Sequence, residues 1–69
     1  MTELEELKEE LAAVQQRRDS LRTGFNGGRW DGATIEYKRL LLDQEHNMSE
    51  YIHTLNMRIS FLTSYTTAN

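Results

Sequence analysis

The chain has no cysteine and no proline, and one tryptophan among 69 residues. Without cysteine there is neither a disulfide framework nor a zinc–thiolate site. Without proline, nothing of fixed φ breaks a helix anywhere along it. No apolar run is long enough to cross a bilayer as a helix. The opening TELEELKEEL carries acid where a secretory signal needs base and an apolar stretch, so the protein is expected to stay in the compartment where it is made. Internal repeats and low-complexity tracts are missing too. A chain this short buries only about 60% of its unfolded surface. With no disulfide or metal to help, an oligomer or a larger partner is the expected support.

What is present is unevenly charged. Residues 1–10 hold five glutamates and one lysine, while residues 17–39 hold six basic and three acidic side chains. The overall charge is −3. Arg17, Arg18, Arg22, Arg29, Lys38 and Arg39 therefore form a locally basic segment on an acidic protein. Such a segment weakly suggests a contact to an acidic surface or phosphate, and a solvated loop with ordinary lysines and arginines is the simpler account.

Two amphipathic helices are legible. Leu4, Leu7, Leu11, Val14 and Leu21 fall at three-to-four spacing with only Arg18 interrupting, which predicts a helix over about 3–22. Thr2 followed by Glu5 fits a capping box, and Gly24 is a natural stop. Arg18 is expected to snorkel at the edge of the core. Met48, Ile52, Leu55, Ile59 and Leu62 form a second stripe, predicting a helix over about 43–65 with Asp43 or Asn47 as cap and a fraying tail at 66–69. Between them, residues 23–39 read as a β-hairpin or a loop. Asp31-Gly32 is a good turn dipeptide, and Ala33 to Lys38 alternates as a strand does. The same residues also continue the second helix back to about Ala33, with Asp31 as its cap. Both readings stay open at this level.

Little of the chain suggests chemistry. Glu50 and His53 stand at the i, i+3 spacing of bundle metal sites, with His46 a turn earlier, but the trio lies opposite the apolar stripe and reads as a polar outer face. Ser20, Ser49, Ser60 and Ser64 lack a nucleophile elbow. Gly24, Gly27 and Gly28 lack the lysine and hydroxyl of a phosphate loop. Neither an enzyme, a metal nor a cofactor is expected. Met57 and Phe61 lie one turn apart away from the main stripe, which marks them as candidate contacts to an oligomer neighbour or partner.

The order helix, Thr23-Gly24, irregular segment, Asp31-Gly32, Ile35-Glu36-Tyr37, helix, together with Met1-Thr2, Glu5-Glu6-Leu7 and Arg29-Trp30, resembles the phage head–tail joining proteins typified by the W protein of phage lambda. That resemblance implies an α+β fold in which two antiparallel helices pack on a small β-hairpin. It implies a ring-forming structural protein under the portal that retains packaged DNA and presents a tail-docking surface. Portal and tail-completion proteins would be its partners, with self-association, a weak DNA contact and no membrane. It would reside in the host cytoplasm during assembly and then in the virion neck. The basic segment and Trp30 would face the portal, a neighbour or DNA, and Met57 and Phe61 a neighbouring subunit. The alternative fold is an all-α helical hairpin. Gly27-Gly28 and Tyr37 are similar to the small co-chaperones of type III secretion needle subunits, implying a chaperone or adaptor that binds a partner protein. A phage inhibitor of a host protein is a third reading.

Overall fold

The computed structural model describes residues 2–68, with side chains through Tyr65. Helix α1 spans Glu3–Asn26 and helix α2 spans Ile35–Ala68. Both start on a threonine. The Thr2 hydroxyl accepts from the Glu5 N–H at 3.2 Å, and the Thr34 hydroxyl accepts from the Tyr37 N–H at 3.1 Å. Each satisfies a donor that the first helical turn would otherwise leave open. Glu3, Glu5 and Glu6 lie in the first turn of α1, and Glu36 in that of α2, where the helix dipole favours acid.

The helices run antiparallel. Arg22, late in α1, pairs with Glu45, early in α2. Glu3 shares a groove with Leu62 at the opposite end. The result is a rod of 54 × 17 × 16 Å. Leu7 and Val14 meet Ile52 and Leu55 in the core, with Leu11, Met48, Ile59 and Leu62 packed around them. Leu55 is completely buried. Leu21 and Leu41 are buried toward the closed end.

There is no strand among the described residues, so the architecture is a helical hairpin and not α+β. The β-hairpin expected within 23–39 is absent, and so is the fold that the head–tail joining resemblance implies. The physical reason lies on both sides of the turn. A strand at Ala33–Lys38 needs a partner strand, and Gly27-Gly28 cannot hold a ladder across Phe25–Trp30. The Thr34 cap instead starts α2 there, and no proline ends it.

The helix limits differ accordingly. α1 continues past 22 to Asn26, and α2 begins at Ile35, well before 43. Thr34, and not Asp31, Asp43 or Asn47, caps α2. The segment expected to fray at 66–69 is helical backbone as far as Ala68, and Asn69 lies outside the described residues.

Candidate ligand groove at the closed end of the hairpin

The turn is built around one left-handed glycine. Gly28 has φ +80°, a conformation that costs L side chains a Cβ–carbonyl clash. Its N–H donates to Phe25 O at 3.2 Å, and the Arg29 N–H donates to Gly24 O at 2.8 Å. These two bonds are the nested pair of a Schellman motif and satisfy carbonyls at the end of α1. Two further turns, from Asp31 N–H to Gly28 O and from Ala33 N–H to Trp30 O, carry the chain across to Thr34. Asp31 faces Gly28, where a Cβ would come 2.7 Å from its Oδ2.

This turn lays Trp30 back on α1. The indole sits over Gly24, where a Cβ would fall 2.7 Å from Cη2. Its ring centroid is 5.1 Å from that of Phe25, with the planes tilted by 50°. The Arg29 guanidinium stands over the indole at 5.0 Å, a cation–π arrangement. Gly24 therefore serves as a seat for Trp30 and does not end the helix.

Beside the indole is an open groove of about 440 Å3. Gln16, Arg17 and Ser20 of α1 line one wall, Gln44 and Met48 of α2 the other, with Arg29 and Trp30 at the turn. Leu21 and Leu41 also contribute to the lining. A second groove runs along α1 past Asp19, Thr23 and Gly24, and shares Gln16, Ser20 and Arg29 with the first. One indole ring, two guanidinium groups, two carboxamides and a hydroxyl thus border one opening. This set can stack a planar group, pair with an anion and donate hydrogen bonds to both.

The basic side chains singled out in the sequence separate into distinct roles. Arg17 and Arg29 border the groove and form no ion pair among the described residues. Arg18 bonds its neighbour Asp19 at 3.3 Å, with only 21% of its side chain exposed. Arg22 is tied to Glu45, which also accepts from the Ser49 hydroxyl. Lys38 reaches back to the Asp31 carbonyl at 3.4 Å, and Arg39 is exposed on α2. Met57 and Phe61 are exposed near the other end of the rod, away from this groove.

His46, Glu50 and His53 are exposed on α2. Among the described residues, no three or more such side chains are grouped so as to hold a metal ion. Among the described residues, no helix is long and apolar enough to cross a membrane.

The model of the family described as Sequestin matches residues 1–61. The chain belongs to the Sequestin family. No curated protein and no solved structure matches it. The matched stretch takes in α1, the turn, the whole groove lining and most of α2.

Gln16 and Gln44 carry no signal in the sequence that marks them for this lining, and Ser20 stands out there only as a serine without a nucleophile elbow. Gln16 and Ser20 precede Gly24 at successive i, i+4 steps, so one side of α1 leads straight to the seat of Trp30. Gln44 stands one turn before Met48. Those spacings were visible. What they lacked was the knowledge that the glycines fold Trp30 back onto α1.

Proposed function

We propose that this Sequestin-family chain is a non-catalytic binding protein that holds a small anionic molecule bearing a planar ring. The site is the groove at the closed end of the hairpin. The observation that carries this reading is the meeting of Arg17, Arg29 and Trp30 at one opening, with Gln16, Ser20 and Gln44 around them. Guanidinium groups form paired, charge-assisted hydrogen bonds with phosphate or carboxylate. The Arg29 guanidinium already lies over the indole, so a ligand ring would stack on that guanidinium plane or take its place on the indole. A groove of this volume matches that of small-molecule sites. The lining has no nucleophile–base pair, so holding and not conversion is the chemistry it supports. The family's name, built on the idea of sequestration, agrees with that.

The chain's single tryptophan makes the test direct. AMP, adenosine and inorganic phosphate are titrated while Trp30 fluorescence is followed. AMP, with both ring and anion, is expected to quench saturably, and either half alone to bind far more weakly. Arg17→Ala and Arg29→Ala should each weaken AMP binding about ten- to a hundredfold, each removing a charge-assisted hydrogen bond worth about 1.5–3 kcal/mol. Absence of quenching, or equal quenching by the arginine variants, would overturn the reading.

A second reading, an adaptor for a protein partner, is favoured by the large apolar side chains exposed along α2, among them Leu40, Tyr51, Met57 and Phe61. Head–tail joining is one form of that reading, without the fold that suggested it.

A further inference from the structure

The open end of the rod differs in character from the groove at the turn. Met57, Phe61 and Tyr65 are spaced one helical turn apart along α2, and are 59%, 69% and 62% exposed. The Phe61 and Tyr65 rings stack at 6.4 Å with 10° between their planes. Beside them, the start of α1 and the end of α2 enclose a groove of about 480 Å3 lined by Glu3, Thr54, Met57, Arg58, Phe61 and Leu62.

We propose that this face receives a second copy of the chain, with the two α2 helices antiparallel about a two-fold axis near Phe61. Three observations select that occupant. The three side chains are evenly spaced about Phe61. In an antiparallel two-fold contact, Phe61 meets Phe61 of the second copy, and Met57 meets Tyr65, a sulfur–aromatic pair. The charges are balanced as well. Glu3 and Arg58 place one acid and one base on the groove. Two identical faces can then oppose unlike charges, although each whole chain carries −3.

Surface area is the third observation. The chain exposes 5325 Å2. A folded monomer of 8.1 kDa is expected to expose about 4,500 Å2. The excess, on the order of 800 Å2, reflects the rod's 54 × 17 × 16 Å shape, which a second copy laid alongside it would make more compact. A hairpin with six buried hydrophobic side chains among its described residues has little core, and a second copy would supply what a third layer of helix supplies in larger proteins.

The experiment is sedimentation equilibrium of the full chain over a dilution series, with circular dichroism on the same samples. Wild type is expected at twice the 8.1 kDa chain mass. Phe61→Glu and Met57→Glu are expected at the single-chain mass with helicity retained, since both positions are exposed. The absence of native cysteine allows an independent readout. Phe61→Cys should cross-link to itself under mild oxidation, and Glu9→Cys should not. A wild-type chain that stays monomeric, because another protein covers this face or nothing does, would overturn the proposal. So would a dimer that survives both glutamate variants, or equal cross-linking at Glu9→Cys. None of these outcomes depends on whether AMP binds at the closed end.

Discussion

Gly24 shows how a residue can be chosen against its own propensity. It lies inside α1, where alanine is favoured over glycine by about 1 kcal/mol. Its Cβ, however, would lie 2.7 Å from Trp30 Cη2 and 3.3 Å from Arg29 Cδ. Gly24→Ala is therefore expected to destabilise the chain by about 1–3 kcal/mol, the usual cost of overpacking, and to shift tryptophan emission as the indole leaves its seat. Gly32→Ala is the control, because nothing lies within 4 Å of a Cβ there. It should fall within about 0.5 kcal/mol of wild type. Urea denaturation read by Trp30 fluorescence measures both. Equal midpoints for the two variants would remove the packing argument. The sequence showed that the glycines matter and gathered Trp30 near them. It could not show which glycine turns the chain and which receives the ring, because composition is the same in both roles.

At the scale of elements, the six residues Ala33–Lys38 carried two patterns at once. Ala-Thr-Ile-Glu-Tyr-Lys alternates as a strand does, and also continues the phase of the Met48 stripe through Tyr37 and Leu41. Over so short a window the periods of 2 and 3.6 cannot be separated. Pairing decides the matter: a strand needs a second strand, and the residues that would supply it end α1 in a Schellman motif. The two apolar stripes were legible because each runs over several turns. Their register was not, because it is set by the turn, which brings Leu21 and Leu41 to the same end. Thr34 is the residue through which the choice acts, since its hydroxyl holds the Tyr37 N–H. Thr34→Ala should cost about 1 kcal/mol. The loss should be concentrated in amide protection over the first turn of α2, as seen by hydrogen exchange. Protection lost evenly along α2 would mean that the cap does not govern where the helix begins.

For the whole molecule, the issue is how a rod with six buried hydrophobic side chains among its described residues holds together. Typical stabilities of about 0.05–0.15 kcal/mol per residue put this chain at roughly 3–10 kcal/mol. Among the described residues Leu55 is the one completely buried large side chain, and Leu55→Ala should cost about 2–5 kcal/mol. That is enough to leave an isolated hairpin largely unfolded. A second copy that binds only the folded chain adds stability by mass action, so the melting temperature then depends on protein concentration. The two effects separate cleanly. Wild type should melt at a temperature that rises with concentration. Phe61→Glu should lose the rise, because it removes the contact and leaves the core intact. Leu55→Ala should melt lower yet keep the rise, because the contact survives in whatever fraction is folded. Melting followed by circular dichroism at several concentrations reads all three. A wild-type midpoint that does not move with concentration would mean that the hairpin's own core suffices, and that the apolar strip at Met57, Phe61 and Tyr65 adds nothing to its stability.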